Sequence, residues 1–410
     1  MSSSERLLQA QRNFKILSGA KNGDELAQAL QLSSTYTGQV LDDILDADGD
    51  WDILSEPAAQ GLWNEIVVAH LGAAAAYRSG DFVDAYTRQL SAYHAYLRAF
   101  RNMARWGIGA LLSLCKDLCD VARRADAQLA GTDALGSKVE EATRAINQGF
   151  SLCMTDRESD LNKSRKWGTY RMANILFGLY RQLNAHNLCD SMIRAIKASE
   201  LPELGSFPMS DQVTFRFYRG MLAFRSENYQ PARDDLLFAL EHCHRDAYGN
   251  KIRILTYLTP ILMAEGKMPQ SRLMRRYPPV KALYGELAKA ARAGDLRRFD
   301  ELLLEKEQLL VSAGTFLAAE RVRRVATREL LRRIHFICGS TSRVSFQQFR
   351  DGFVAAGLTD TTVPEIEAIL ADMVYDGYIK GYLAHDHGVA VLSKQQPFPS
   401  LRSVLQGASA

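Results

Sequence analysis

Apolar residues recur at steps of three and four along nearly the whole chain. Leu176, Leu179, Tyr180 and Leu183, followed by Leu188, Met192, Ile193 and Ile196, trace the buried stripes of two consecutive helices. Strict alternation does not occur before about residue 378, so the pattern predicts an all-α body. Breaks are expected at Asp46 to Pro57, at Leu129 to Gly136, at Leu201 to Pro208, and around Met268-Pro269 and Pro278-Pro279. A short phrase returns along the way: Gly80-Asp81-Phe82-Val83-Asp84-Ala85, then Glu227-Asn228-Tyr229-Gln230-Pro231-Ala232, and more weakly Gly294-Asp295-Leu296-Arg297-Arg298-Phe299. Each closes one helix and opens another, which is how antiparallel helix pairs of the tetratricopeptide kind are joined. The period is irregular and the full repeat consensus is absent. The expectation is therefore a solenoid of degenerate repeats, with a generic helical bundle as the alternative.

The last hundred residues change character. A basic helix is predicted from about Phe316 to Ile337. Ser345 is placed to cap a helix through Phe346 and Phe349, and a third helix runs from Val363 to Tyr375 with Pro364 in its first turn. Two β-rich runs, Tyr378 to Leu383 and Val389 to Lys394, flank the turn His385-Asp386-His387-Gly388 and read as a hairpin. Three helices followed by a hairpin is the element order of a winged helix. The predicted organisation is an N-terminal helical region (1–100), a helical-repeat arm (101–315), a winged-helix subdomain (316–399) and a tail (400–410).

With 410 residues and 47% hydrophobic content, the chain is long enough for more than one core. Its longest apolar stretches, Ile66 to Ala76 and Ile108 to Leu114, fall short of the roughly 20 residues a membrane span needs. The start, Ser2-Ser3-Ser4-Glu5-Arg6, does not read as a secretory signal, so an intracellular protein is expected. Six cysteines scattered through apolar helical patterns read as reduced, buried thiols. The formal net charge is only +3, but residues 1–60 hold four Lys/Arg against ten Asp/Glu while residues 271–333 hold fifteen against eight. That late positive excess suits a polyanion or an acidic protein.

Catalytic chemistry finds little support. There is no Walker loop, no Gly-x-Ser-x-Gly elbow and no His-Glu-x-x-His. His242-Cys243-His244 lacks the second ligand pair a zinc site needs, and on a helix the two imidazoles point about 200° apart. Cys115 and Cys119 share a helix face with Leu111 and Leu118, which reads as core. No catalytic residue, metal, cofactor or small-molecule substrate is expected, and no membrane. His385 and His387, in the wing turn, read as solvated, with a phosphate contact below neutral pH as the other option.

The basic residues carry more. Arg321, Arg324, Arg328 and Arg332 share one predicted helix face, flanked by Arg323 and Arg333, although Glu320 and Glu329 offer an ordinary ion-paired alternative. Arg272, Arg275, Arg276, Arg323, Arg324, Arg343, Lys380 and Lys394 are the candidate phosphate contacts, which position a nucleic acid without reading its sequence. The helix Glu365 to Asp376 is acidic, unlike a DNA-reading recognition helix. Its apolar residues Ile366, Ile369 and Met373, with Ile379 and Tyr382 of the hairpin, are the candidate protein interface.

The passage from Ile369-Leu370 to Ile379-Lys380-Gly381-Tyr382, with the ending Val391-Leu392-Ser393-Lys394-Gln395-Gln396-Pro397-Phe398-Pro399, resembles the end of a PCI domain. Lys166-Trp167-Gly168, His186-Asn187-Leu188-Cys189 with Ile193-Arg194-Ala195-Ile196, and Glu241-His242-Cys243-His244-Arg245 resemble the PCI domain-containing protein 2 family more specifically. That family includes the PCI subunit of the TREX-2 messenger RNA export complex and signalosome-subunit-twelve-like proteins. The likeness runs from about Asn102 to Pro399; before that only helical character is shared. It implies a helical arm capped by a winged helix, a second PCI scaffold protein at its side, a small acidic subunit of the Sem/DSS type, and a basic surface for RNA or DNA. It also implies a location in the nucleus and at nuclear pores, with some protein in the cytoplasm. A signalosome-related or splicing- and transcription-coupled complex is the alternative, as is a translation-initiation or proteasome-lid subunit without direct nucleic-acid binding.

Overall fold

The computed structural model describes residues 3–48, 61–130 and 136–401. Most of the breaks expected at 46–57 and 129–136, and nearly all of the 400–410 tail, lie outside the described residues. The chain forms two compact units, 1–218 and 219–410, divided within one helix. The first holds α1 (Ser3–Gly19), α2 (Gly23–Ala29), α3 (Thr35–Asp48), α4 (Leu62–Ser79), α5 (Phe82–Phe100), α6 (Ile108–Leu129), α7 (Lys138–Met154), α8 (Thr169–Gln182) and α9 (His186–Ala198). The division falls in α10 (Met209–Arg225). The second continues with α11 (Tyr229–His242), α12 (Tyr248–Ala264), α13 (Ser271–Arg276), α14 (Pro278–Ala293), α15 (Leu296–Glu305), α16 (Glu307–Ser312), α17 (Phe316–Arg321) and α18 (Arg323–Ile337). It ends with β1 (Arg343–Ser345), α19 (Phe346–Ala355), α20 (Val363–Tyr375), β2 (Gly381–Ala384) and β3 (Val389–Leu392).

The repeated phrase is a physical joint. After α4, Gly80 takes φ 85°, the Asp81 amide donates back to Ala76 O at 3.0 Å, and the Asp81 carboxylate accepts from the Asp84 amide at 3.1 Å. This is a Schellman closure followed at once by an N-cap. The joint between α14 and α15 is the same: Gly294 at φ 63°, Asp295 amide to Ala290 O at 3.0 Å, and Asp295 carboxylate from the Arg298 amide at 3.0 Å. Between α10 and α11 the left-handed residue is Glu227, and the Asn228 amide reaches Ala223 O at 2.9 Å. The aromatic wedge is shared by two joints, with Phe82 edge-on to Tyr77 at 5.6 Å and Tyr229 edge-on to Phe224 at 5.5 Å. Lys21-Asn22 and Asn184-Ala185 make two further closures of this kind, which the pattern reading missed because no glycine marks them.

One expectation needs correction and one a shift of a residue. The basic helix predicted over 316–337 is two helices, because the fully buried Val322 donates its amide three residues back, to Ala319 O, and tightens the turn. The break expected around Pro278-Pro279 falls at Tyr277, between α13 and α14: the two prolines themselves open α14, where their missing amides cost nothing.

The winged-helix portion carries a third strand that the alternation did not reveal. The antiparallel sheet has the order β1-β3-β2, with Arg343, Val391 and Tyr382 aligned in one row. Ser345 caps α19, as predicted, and does so in a capping box with Gln348; Thr362 with Glu365 repeats the device at α20. Val344, Phe346, Phe349, Phe353, Ile366, Leu370, Ile379 and Leu392 pack in one core with Leu287, Ala291, Phe299 and Leu331 of the preceding helices. The subdomain edge drawn between residues 315 and 316 therefore runs through a single core; it separates topologies, not packing units.

Candidate nucleic-acid and partner interface

The apolar candidates divide first. Ile366, Met373 and Ile379 lie at 0%, 6% and 1% exposure inside the winged-helix core, so they are corrected from interface to core. The helical period is responsible: Ile366, Leu370 and Met373 fall on one stripe, and that stripe is spent on the fold. Ile369 is partly buried against the same core, whereas Tyr382 stands 62% exposed on the sheet and Tyr375 91% exposed at the end of α20.

The basic candidates divide just as sharply. Arg323 holds Asp300 through two hydrogen bonds of 2.7 and 2.9 Å, and that bonding raises its pKa above the ordinary arginine value. Arg324 pairs with Asp376, the residue that ends α20. Both are corrected from the phosphate-contact set, because a phosphate would have to displace a carboxylate already in place. Their neighbours on the predicted basic face are engaged too. Arg328 donates to the carbonyls of Phe398 and Pro399 at 3.1 and 2.7 Å, Arg332 bonds Glu329, and the Arg321 guanidinium lies 4.6 Å from the Tyr229 ring centroid. That face latches the C-terminal segment and bonds its own helices.

Arg272, Arg275, Arg276, Arg343, Lys380 and Lys394 are all exposed, and no salt bridge is formed by any of them among the described residues. They do not form one cluster in sequence or topology. The first three sit on the short helix α13, with Arg276 5.7 Å from the Tyr277 ring. Arg343 starts β1, and Lys380 extends β2 by one residue, its carbonyl accepting from the Ser393 amide at 2.8 Å. Lys394 follows β3.

Two acids of α20 and its cap are also committed. Asp376 holds Arg324, and Glu367 holds His385 of the wing turn at 2.6 Å. The hydrogen bond and charge of Glu367 lift the His385 pKa above its usual value. This link is fully present below the ordinary imidazole pKa and fades as pH rises through the raised one. His385 is thus a tether between wing and helix.

The other sequence features are structural. His242 stacks on Phe238 at 4.1 Å and bonds its carbonyl, Cys243 is buried, and His244 accepts the Asp246 amide. Cys115 is buried 3.6 Å from the Tyr93 hydroxyl and 3.8 Å from Met172 Sδ, and burial pushes its thiol up. Lys166-Trp167-Gly168 belongs to a staple. Buried Asp156 accepts from the Arg165 amide and guanidinium and from Ser164, and Arg165 donates onward to the Phe100 and Arg101 carbonyls. The pattern reading also missed a run of exposed apolar residues, Leu304, Leu309, Val311, Leu317, Phe336 and Ile337, each 46% to 80% exposed. Ile337 lines a groove of about 620 Å³ with Leu330, Ile334, Ala355 and Ala356.

A helical-repeat body ending in a winged helix that shares its core is the architecture of a PCI protein, and residues 287–394 match the PCI domain model. A Protein CSN12 homolog of Mycosarcoma maydis is 37% identical over 80% of this chain and 77% of its own length. PCI domain-containing protein 2 of Xenopus laevis is 32% identical over 83% and 86%, and a Protein CSN12 homolog of Schizosaccharomyces pombe is 31% identical over 97% and 99%. The chain belongs to the family of PCI domain-containing protein 2 and the CSN12 homologs. PCI domains are scaffolds, and proteins that carry them typically assemble with other PCI proteins.

Proposed function

We propose that this chain is a non-catalytic scaffold subunit of a nuclear messenger RNA export complex of the TREX-2 type. In this reading it pairs with a second PCI protein, receives a small acidic subunit, and binds RNA or DNA through phosphate contacts. The observation that carries the reading is the separation of the basic residues into those already paired and those left free, with Arg343 and Lys380 among the free ones on the winged helix. Phosphate contact through such residues gives salt-dependent, weakly sequence-selective binding. Support for a protein partner comes from the exposed apolar side chains between Leu304 and Ile337, a kind of surface that partners cover. The acids of α20 and its cap support a backbone-directed contact over groove reading, since Glu365, Glu367, Asp372 and Asp376 repel phosphate.

The test is purification of the tagged chain from cell nuclei, with its partners identified by mass spectrometry and its RNA by crosslinking. A second PCI scaffold and a small acidic protein, with crosslinked RNA lost in Arg272→Glu/Arg275→Glu/Arg276→Glu, is the expected result. Recovery with signalosome, translation-initiation or proteasome-lid subunits and without RNA would replace the export reading.

A further inference from the structure

We infer that the outward face of the winged-helix sheet binds single-stranded nucleic acid, with Tyr382 stacking on one unpaired base and Lys380 and Arg343 holding the flanking phosphates. The inference rests on the phosphate-contact reading above and adds a strand preference and a stacking residue to it.

Register and burial define the face. Ile379 (1% exposed), Val344 (0%), Ala390 (0%) and Leu392 (3%) point inward, so residues of the other parity point outward. Those are Lys380, Tyr382 and Ala384 on β2, Val389, Val391 and Ser393 on β3, and Arg343 and Ser345 on β1. No carboxylate occupies any of these positions. Lys380 stands two residues from Tyr382 on the same strand, about 7 Å away along it, and Arg343 lies in the Tyr382 row two strands across, at about 10 Å. An aromatic ring at 62% exposure, with one cation along its strand and one across the sheet that form no salt bridge among the described residues, and beside the small apolar surface of Val391, is complementary to a base and its phosphates. A duplex offers no free base face, so the tyrosine favours single strands, while the cations serve either form. A partner protein on the same face would leave those two cations to be desolvated without a counter-charge on this chain.

The experiment measures anisotropy of a labelled 12-nucleotide single-stranded RNA and of the corresponding duplex, at several salt concentrations. It uses the full chain and the chain copurified with its PCI partner. Tyr382→Ala is expected to weaken single-strand binding by about five- to a hundredfold and leave duplex binding unchanged, with Tyr382→Phe close to wild type. Arg343→Glu with Lys380→Glu is expected to weaken both forms and lower the salt slope by about two. If the double charge reversal has its effect and Tyr382→Ala binds single strands like wild type, stacking is overturned and the phosphate reading stands. No change in any variant, or no binding by either preparation, overturns both. Unchanged RNA binding with loss of the PCI partner in Tyr382→Ala, its circular dichroism intact, overturns the inference in favour of a protein contact.

Discussion

Two titratable residues in the first unit, the buried His70 and the half-buried Asp117, act on stability with opposite dependence on pH. His70 is wholly buried among α3 to α5, its Nε2 3.4 Å from the Thr37 hydroxyl, and desolvation holds its pKa down at about 4. Its folded pKa lies below the unfolded value near 6.5, so between about 4 and 6.5 the unfolded chain binds a proton that the folded chain refuses. Its contribution is therefore present above that window and is lost as pH falls through it, by about 3 kcal/mol in all. Asp117 works the other way. Burial raises its carboxyl to about 6 even though it accepts the Leu32 amide at 2.8 Å, so from about 4 to 6 the folded chain holds the proton and stability falls as pH rises. The two partly cancel in the wild type, and single substitutions separate them. His70→Gln should flatten the acid-side loss of melting temperature between pH 6.5 and 5, and Asp117→Asn should steepen it. Identical melting temperature against pH for all three proteins would remove both groups from the account.

Among the elements, α12 contains Pro260 in its interior, which deprives the Thr256 carbonyl of its helical donor. The hydroxyl of Tyr284 on α14 donates to that carbonyl at 2.6 Å, and its ring is fully buried. Tyr284→Phe should therefore cost about 1–3 kcal/mol, since it strands a buried acceptor. Pro260→Ala restores a donor, so the second substitution should cost distinctly less in the Tyr284→Phe background than in the wild type. Additive effects in chemical denaturation would mean that the two residues are not linked. Helix pairing of this kind was legible in the sequence wherever local chemistry announces it: Gly80-Asp81 and Gly294-Asp295 each name a left-handed residue and a cap in two letters. The joint at Lys21-Asn22 was not legible, because Lys21 reaches φ 55° without a glycine. The strand β1 was missed because three residues are too few to show alternation. The site was less legible than the fold for a related reason. Arg323 and Arg324 look free in sequence, and their carboxylates lie 23 and 52 residues away.

For the molecule as a whole, the question is which surface a partner takes, and burial separates two kinds of apolar residue that sequence patterns treat alike. Ile366 and Met373 are core, so a charged replacement there unfolds the winged helix and says nothing about assembly. Leu317 at 58% and Ile337 at 80% exposure sit on α17 and α18 and keep most of their surface in solvent. Leu317→Arg and Ile337→Arg should leave the melting temperature of the isolated chain within the roughly 0.5 kcal/mol typical of surface changes. If the exposed run from Leu304 to Ile337 is where the second PCI protein docks, each should weaken the complex at least tenfold in titration calorimetry, because a guanidinium would be buried there without a partner. Binding of the wild-type partner at a hundred times its Kd should add about 2.7 kcal/mol to the stability of the second unit, with amide exchange slowed over residues 304–337. Variants that unfold on their own would show that these side chains are structural after all. Variants that stay folded and bind with wild-type affinity would move the partner to another face of the protein.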